Sequence, residues 1–343
     1  MNASNDTKLD ALWQRGCDFL GCRYAILGGA MSWLSDRHLV SAISNAGGFG
    51  VIACGSMSPE LLAAEITATQ EMTSKPFGVN LITLHPDLDA LIDVCIAHKV
   101  SHIVLAGGLP SGASIARIKD AGAKVMCFSP AVALAKRLVR NGVDALIIEG
   151  SEAGGHIGPV STSVLAQEIL PAITDVPVFV AGGIGRGEAI VSYLEMGASG
   201  VQLGTRFVCA TEAIAHPDFK KAFIRANARD ALPTSQLDPR LPVIPVRALV
   251  NGGTEHFMET QRTMLAKLDA GEVELKEAQL QVEHFWAGAL RRAVIDGDVK
   301  NGSLMAGQSV GMVTSEQPTA DIIAELVEQA IQSLDVRGNA AEG

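Results

Sequence analysis

The chain has 343 residues, of which 48% are hydrophobic and 19% are charged, and its formal net charge is −10. This length suits one large domain or two ordinary ones, and the composition is that of a well-cored globular protein, far from the disordered regime. The negative charge argues against a nucleic acid partner, because the phosphate backbone demands clustered Lys and Arg. A local basic excess at 216–229 is typical of a solvated helix face.

The six cysteines form no C-x-x-C pair, and no Cys/His cluster has zinc spacing, so we predict no metal site. Residues 1–16 carry Asp, Lys and Arg without an apolar core, so we expect no signal peptide. No apolar run approaches the roughly 20 residues that span a bilayer. The simplest expectation is a reduced cytoplasmic protein with no membrane partner.

Short aliphatic runs recur along the chain, each bounded by glycine or a polar turn, as expected of buried parallel strands. Eight are predicted as strands: Tyr24–Gly28, Phe49–Cys54, Phe77–Ile82, His102–Ala106, Lys124–Phe128, Ala145–Ile148, Val176–Ala181 and Gly200–Gly204. Most intervals between them contain apolar residues at helical spacing. The clearest predicted helices are Asp36–Ala46, Pro59–Gln70, Ala131–Asn141 and Gly187–Met196.

Eight repeats of strand then helix predict an α/β protein with a (β/α)8 TIM barrel. The competing fold is a doubly wound open sheet, which would usually show a G-x-G-x-x-G fingerprint at its first strand turn. Gly28-Gly29 lacks that spacing, and the other glycine signals come late in the chain. We therefore favour the barrel.

The strand–helix alternation stops near Glu212, which divides the chain into three predicted parts. Residues 1–23 form an N-terminal segment, and residues 24–212 with 316–335 form the barrel and its closing helix. Residues 213–315 are predicted as a helical cap or insertion over the barrel mouth.

The cap segment is irregular in sequence, with a Pro-rich stretch from Pro233 to Pro245 and predicted helices at Glu255–Leu268 and Leu280–Ile295. The final helix, Pro318–Leu334, sets its apolar residues on one face. Ser315 is its predicted cap, and Pro318 suits the first turn.

The segment Glu149–Gly158 follows the sixth strand and combines four glycines, two carboxylates and His156. The active sites of barrels assemble at the C-terminal ends of the strands, where this segment lies. Glycine lets backbone amides approach a ligand closely, and a histidine among them is useful as a proton donor or acceptor. A flexible loop with a chance histidine is the competing interpretation.

The seventh and eighth strands end in Ala181-Gly182-Gly183-Ile184 and Gly204-Thr205-Arg206-Phe207. Loops after these two barrel strands commonly bind phosphate through backbone N–H groups and a helix N-terminus. The glycines leave their amides uncovered, and the Thr205 hydroxyl can donate as well. The pair predicts a phosphate-bearing ligand, the alternative being that the glycines only relieve crowding at the rim.

Asn80 and Glu149 are polar residues at the ends of predicted buried strands, where an unsatisfied polar group is costly. An amide in the barrel mouth would suit a flat heterocycle with imide edges, and a bond to a neighbouring loop is the alternative. A carboxylate at a strand end similarly needs a hydroxyl or amide group as its hydrogen-bond donor.

Taken together, these motifs resemble those of the FMN-dependent enoyl-acyl-carrier-protein reductases and of their relatives, the nitronate monooxygenases. The resemblance runs from about Tyr24 to the final helix. It rests on Gly28–Trp33, Asn45–Gly50, Lys75–Asn80, Glu149–Gly158, Ala181–Ile184, Val201–Phe207 and Gly302–Gln308.

The resemblance implies FMN with its phosphate on Gly183, Gly204 and Thr205, and His156 at the position of the family's catalytic histidine. The isoalloxazine would lie against residues of the first, third and sixth strand ends, with residues near the C-terminus close by. The predicted cofactor-binding residues are Ala30, Met31, Ser32, Asn80, Glu149, Gly154, Gly155, Ala181, Gly182, Gly183, Gly204, Thr205, Met305 and Gln308.

The flanking residues favour the reductase branch, which resembles this chain in Gly-Ala-Met-Ser-Trp at strand one, Gly-Thr-Arg-Phe at strand eight and the segment Met305–Gln308. We therefore predict an NAD(P)H-oxidising enoyl-acyl-carrier-protein reductase that works by ping-pong hydride transfer. There His156 would assist protonation or orient the acyl carbonyl.

Three alternatives stay open: a nitronate monooxygenase using O2, an NADH:quinone reductase, and a module that binds FMN without catalysis. In a nitronate oxygenase, His156 would act as a base or polarise the nitro group. The expected partners are a small-molecule substrate or acyl thioester, with acyl carrier protein as a candidate. A homodimer and the choice between NADH and NADPH are left open.

Overall fold

The fold is known from a computed structural model that describes residues 3–241 and 245–341. Eight parallel strands build its main sheet: β1 (Ile26–Gly28), β2 (Val51–Ala53), β3 (Gly78–Ile82), β4 (His102–Ala106), β5 (Lys124–Phe128), β6 (Ala145–Glu149), β8 (Val178–Ala181) and β9 (Gly200–Leu203). Their order is β1-β9-β8-β6-β5-β4-β3-β2, and β7 (Gly155–His156) belongs to a separate small sheet. The sheet closes because Gly28 N–H donates to the Phe49 carbonyl at 2.9 Å and Phe49 N–H donates to the Ile26 carbonyl at 2.9 Å.

The predicted TIM barrel is confirmed, and the eight predicted strands are all present with small changes at their ends. The predicted strand at Val176 begins at Val178 instead, since Pro177 has no N–H to give to a ladder. The strand interiors are mostly apolar and buried, as parallel strands under helices require. The helices of the barrel alternate with its strands: α2 (Arg37–Asn45), α3 (Pro59–Met72), α4 (Leu88–Ala97), α5 (Gly112–Asp120), α6 (Val132–Arg140), α7 (Thr162–Ile169) and α8 (Gly187–Glu195).

A helix at the N-terminus, α1 (Ala3–Leu20), adds structure to the predicted N-terminal segment. Leu9, Trp13, Gly16 and Leu20 are buried and recur every three or four residues, so they form one face. The contact is close, because a Cβ at Gly16 would lie 1.9 Å from the Ser199 carbonyl oxygen.

The end of α1 covers the N-terminal ends of the barrel strands. The Phe19 carbonyl accepts a hydrogen bond from Lys124 Nζ and lies 2.9 Å from His102 Nε2. His102 and Lys124 are the first residues of β4 and β5. Helix α1 therefore lies opposite the end at which a barrel builds its active site.

The closing helix is α12 (Thr319–Ala341), and its N-terminus corrects one prediction. Ser315 does not cap it. Instead, the Glu212 carboxylate accepts from Thr319 N–H at 3.0 Å and from Thr319 Oγ1 at 2.7 Å. Gln317 is bound to the barrel backbone, since its N–H donates to the Cys209 carbonyl and its carbonyl accepts from Thr211 N–H. These bonds hold the start of α12 beside Glu212, so the cap comes from the barrel.

The predicted cap region contains α9 (Pro217–Arg225), α10 (Gly252–Asp269) and α11 (Leu275–Val294), so its two predicted helices are present with longer bounds. Helices α10 and α11 pack around Phe257 and Phe285, whose ring centroids are 5.4 Å apart. The region also contributes β10 (Ala231–Pro233) and β11 (Val246–Leu249), which the sequence did not predict. Residues 242–244 of the Pro-rich stretch lie outside the described residues. None of the helices in the described ranges is long and apolar enough to cross a membrane.

Candidate active site

The segment that follows β6 folds back into a two-residue strand, β7 (Gly155–His156), where the sequence predicted a Gly-rich loop. This strand pairs antiparallel with β11, with Val246 opposite His156 and Arg247 opposite Gly155. Because the small sheet has the order β10-β11-β7, β7 is an edge strand. His156 is exposed there, at the C-terminal end of the barrel.

Arg247 fixes the position of the Glu149–Gly158 segment. Its side chain is buried, and it donates from Nε to the Ser151 carbonyl at 2.8 Å and from Nη1 to the Ala231 carbonyl at 2.5 Å. Burial lowers the pKa of Arg247, since a charge that leaves water is costly. The guanidinium therefore joins the Glu149–Gly158 segment to the small sheet that presents His156.

The two carboxylates of the segment have different environments. Glu152 accepts from Thr162 N–H at 2.8 Å and from Thr162 Oγ1 at 2.9 Å, at the N-terminus of α7. A carboxylate is favourable at that end of a helix, so Glu152 serves to fix the segment. Glu149, by contrast, makes no hydrogen bond or ion pair through its carboxylate with any residue that the structure describes.

Glu149 lies at the end of β6, and burial without a partner raises its pKa to about 7. Desolvation disfavours the ionised form, and no cation among the described residues compensates for it. Such a group can both donate and accept a hydrogen bond near neutral pH. Perturbed carboxyl groups of this kind mark candidate functional sites.

The loops after β8 and β9 present unused backbone donors, as predicted for a phosphate site. Gly182 and Gly183 have φ values of +96° and +74°, which favour glycine. The N–H groups of Gly182, Gly183 and Gly204 donate to no other residue within the described ranges. A Cβ at Gly183 would lie 2.9 Å from the Glu152 Cβ, so a larger residue would push this loop away.

A C-terminal segment, residues 305–308, joins these loops to the small sheet. Gly307 N–H donates to Thr205 Oγ1 at 2.9 Å, which leaves the hydroxyl hydrogen of Thr205 available to a ligand. Gln308 N–H donates to the Glu152 carbonyl at 2.9 Å. Met305 pairs with Ala248 and places its Sδ 3.6 Å from where a Cβ on Gly155 would lie.

The structure therefore brings Met305 and Gln308 beside the Glu149–Gly158 segment, although about 150 residues separate them in the chain. It also places Gly154 of that segment against the C-terminal residues, since a Cβ there would lie 2.6 Å from Gly307 N. Ala181, the last residue of β8, is buried next to the two glycines that follow it.

The loop after β1 holds Ala30, Met31 and Ser32, all partly exposed. Met31 N–H donates to Ser35 Oγ at 2.9 Å, and Met31 Sδ would lie 3.5 Å from a Cβ on Gly204. Trp33 has a φ of +67°, an uncommon and strained value for a large side chain. The Arg291 guanidinium of α11 lies 5.8 Å from the centroid of the Trp33 ring, which links the cap to this loop.

Two buried side-chain amides face the interior of the barrel. Asn80 on β3 and Gln202 on β9 are 7% and 8% exposed, and neither side chain hydrogen bonds to a described residue. Gln202 was not predicted as a site residue. The signal that could have found it is a single amide in an aliphatic strand, which is the pattern that identified Asn80.

Arg206, part of the Gly-Thr-Arg-Phe pattern, does not belong to this set. It is 2% exposed and donates to the Met312 carbonyl at 3.1 Å and to Glu325 at 3.0 Å. It therefore ties the barrel to the C-terminal part of the chain.

The unpaired N–H groups, the two free amides and the carboxyl group of Glu149 converge at one end of the barrel. Together they fit a ligand with a phosphate at one end and a flat polar ring at the other, as FMN has. The binding role of each named residue stays a prediction. Within the described ranges no cluster of His, Cys, Asp or Glu is arranged to hold a metal ion.

Comparison with known proteins agrees with this architecture. The sequence model of the nitronate monooxygenase family matches residues 14–91 and 87–329. The structure of FabK from Thermotoga maritima is 35% identical with a TM-score of 0.85, covering 95% of this chain and 98% of that one. A nitroalkane oxidase from Streptomyces ansochromogenes is 24% identical with a TM-score of 0.76, covering 93% and 99%.

A protein from Mycobacterium tuberculosis, named (3aS,4S,5R,7aS)-5-hydroxy-7a-methyl-1-oxo-octahydro-1H-indene-4-carboxyl-CoA dehydrogenase, is 30% identical over 92% of this chain and 96% of its own length. A protein named probable nitronate monooxygenase from Staphylococcus aureus is 25% identical over 95% and 100%. Both this family and the FabK proteins depend on flavin. The chain therefore belongs to the nitronate monooxygenase family and is a flavin-dependent oxidoreductase.

Proposed function

We propose that this protein is an FMN-dependent reductase that oxidises NADH or NADPH and reduces the C=C bond of an enoyl thioester, with acyl carrier protein or CoA as the carrier. The observation that carries this proposal is the order of the identities. FabK, an enoyl-acyl-carrier-protein reductase, stands at 35% and a dehydrogenase of a carboxyl-CoA compound at 30%. The proteins named for nitronates and nitroalkanes stand at 24–25%.

The rim of the barrel mouth supports an apolar substrate. Leu84 follows β3 and is 81% exposed, and Leu109 follows β4 and is 44% exposed. The two loops touch, since a Cβ on Gly108 would lie 3.5 Å from Leu84 Cγ. Exposed leucines at a binding site stabilise a bound hydrocarbon by about 25 cal/mol for each Å² of apolar surface removed from water.

His156 supplies the proton chemistry in this proposal. When FMN is bound, it supplies the hydride chemistry that amino acid side chains lack. The imidazole stands on a rigid edge strand, where it can polarise the thioester carbonyl or deliver a proton to the α-carbon. Arg247 and Glu152 act indirectly, by holding the backbone that positions the imidazole.

Glu149 and the two free amides orient the ring. A carboxyl group whose pKa is near 7 is partly protonated under neutral conditions and can donate to a carbonyl oxygen of the ring edge. Asn80 and Gln202 each offer one donor group and one acceptor. The glycine amides after β8 and β9 take the phosphate at the other end.

The test is anaerobic mixing of the flavin-loaded protein with NADH or NADPH, followed by an enoyl thioester such as crotonyl-CoA or its acyl-carrier-protein counterpart. The proposal expects rapid loss of oxidised-flavin absorbance with one of the nicotinamides and its return on addition of the thioester. Retention of the absorbance with both nicotinamides would contradict it.

Nitronate oxidation is the second candidate, favoured by the name of the matching family and by the Staphylococcus aureus relatives. In that reaction His156 would contact the nitro group. This second candidate predicts loss of oxidised-flavin absorbance with an alkyl nitronate and little oxidation of NADH or NADPH. The same anaerobic experiment therefore separates the two candidates.

A further inference from the structure

Two cysteines lie together at the end of α1, away from the candidate active site. Gly21 follows the helix with a φ of +71°, the left-handed conformation that commonly ends a helix. The N–H groups of Gly21 and Cys22 both donate to the Cys17 carbonyl, at 2.8 and 3.3 Å. In this type of helix end, the residues at the positions of Cys17 and Cys22 usually bring their side chains into contact.

The hydrogen bonds of the sulfurs agree with this placement. Cys17 Sγ donates to the Arg23 carbonyl at 3.3 Å, and Cys22 Sγ donates to the Tyr24 carbonyl at 3.1 Å. The thiols interact with each other, which lowers the pKa of Cys17 and raises that of Cys22. The carboxylates of Asp10 and Asp18, and burial, oppose the lowering at Cys17.

These two thiols differ from the other four in their access to solvent. Both are partly exposed and line a surface cavity of about 500 Å³ together with Asp10, Gln14 and Arg23. The remaining cysteines are buried, and burial raises the pKa of each: Cys54, Cys95, Cys127 and Cys209. A small oxidant in water therefore meets the pair at α1 first.

We propose that Cys17 and Cys22 form a reversible dithiol–disulfide site that is oxidised by peroxide. The Cys17 thiolate attacks one peroxide oxygen, so that the O–O bond breaks, an S–O bond forms and one water leaves after protonation. The Cys22 sulfur then attacks Cys17 Sγ, the S–O bond breaks, the S–S bond forms and a second water leaves. In total, two thiols lose two hydrogens and hydrogen peroxide becomes two waters.

We expect this bond to fit the native backbone. A disulfide needs Cα atoms about 4.4–6.8 Å apart, and the hydrogen bond from Cys22 N–H to the Cys17 carbonyl holds the two residues side by side. The bond would join the last turn of α1 to the residues that lead into β1. Because the site lies at the opposite end of the barrel, it does not depend on the proposed function.

The sequence supplies a direct assay. Trypsin cleaves after Arg15 and Arg23, so both cysteines fall in one peptide, residues 16–23. The reduced, flavin-loaded protein is treated with hydrogen peroxide in slight excess, and free thiols are blocked with iodoacetamide before and after denaturation. The proposal expects this peptide to lose two hydrogens and to regain them with dithiothreitol. The four buried cysteines should take up label only after denaturation.

Two variants separate the roles of the thiols. In Cys22→Ser, Cys17 has no resolving partner, so its sulfenic acid should react with dimedone at least about tenfold more than in the unmodified chain. In Cys17→Ser, Cys22 should be oxidised at least about tenfold more slowly than Cys17 is in Cys22→Ser. Equal dimedone labelling of the unmodified chain and Cys22→Ser would overturn the proposal. The proposal would also be overturned if peptide 16–23 gained oxygen atoms, or if it stayed a dithiol while a buried cysteine was oxidised.

Discussion

Replacing Glu149 with glutamine removes an ionisable group from the barrel mouth and preserves the shape of the side chain. Burial raises the pKa of Glu149 from its ordinary value of 4.5 to about 7. Below pH 4.5 the carboxyl group is neutral in both the folded and the unfolded chain, so the replacement removes no charge there. As the pH rises, the unfolded chain loses its proton first, and the folded state becomes less stable relative to it.

The size of this effect follows from the two pKa values. A difference of one pH unit is worth 1.36 kcal/mol, so the full penalty is about 3 kcal/mol and is complete above pH 7. Between pH 5 and pH 8, the unmodified protein should lose about 2–3 kcal/mol of stability relative to Glu149→Gln. The variant should therefore be the more stable protein at pH 8.

The assay is urea unfolding of the flavin-free protein at several pH values between 5 and 8, because bound flavin would add contacts of its own. Glu168→Gln is the matched control, since this glutamate is exposed on α7. The difference between the unmodified protein and the control should not change with pH. A Glu149→Gln difference that is equally flat would refute the conclusion that the carboxyl group of Glu149 is desolvated and has no partner among the described residues.

Three further substitutions test the site. His156→Ala should lower kcat at least about 100-fold with flavin still bound, and unchanged turnover would remove His156 from the mechanism. Gly183→Ala should weaken FMN binding at least about tenfold in a fluorescence titration, because the φ is +74° and the loop would have to move. Gly197→Ala is its control, because the φ of Gly197 is +103° and a Cβ there would meet no non-neighbouring described atom within 4 Å. The expected loss is about 1 kcal/mol of stability with unchanged FMN affinity. Arg247→Met should lower kcat more than FMN affinity; equal losses would contradict a role in positioning His156.

The sequence predicted the barrel because each strand is a local signal. A short apolar run bounded by a glycine or a polar turn defines β4 or β5 without reference to the rest of the chain, and both were predicted with their observed bounds. The helix α1 also has a local signal, the spacing of Leu9, Trp13 and Leu20. A search for the apolar core of a signal peptide in residues 1–16 does not detect that spacing, because the apolar residues are separated by polar ones.

The small sheet could not be predicted in this way. Its strands have two to four residues, too few for a period, and β7 pairs with β11 across about 90 residues of chain. The cap of α12 is equally non-local, because Glu212 reaches Thr319 from the barrel side. Where such contacts decide the structure, residue types alone leave several partners open.

The candidate site shows the same division. Glu149 and Glu152 are three residues apart in one motif, yet Glu149 has no partner among the described residues, whereas Glu152 binds the N-terminus of α7. The sequence pointed to both carboxylates and could not tell their roles apart, since the partner of Glu152 is Thr162. Gln202 carried the same signal as Asn80 and became evident only through its burial in the closed barrel.

The central claim is that the flavin of this protein takes its electrons from a nicotinamide and passes them to an enoyl thioester. Anaerobic stopped-flow mixing with NADH, NADPH and an alkyl nitronate, each alone, measures this most directly. We predict rapid loss of oxidised-flavin absorbance with one nicotinamide and slow or no loss with the nitronate. Rapid loss with the nitronate and none with either nicotinamide would contradict the account.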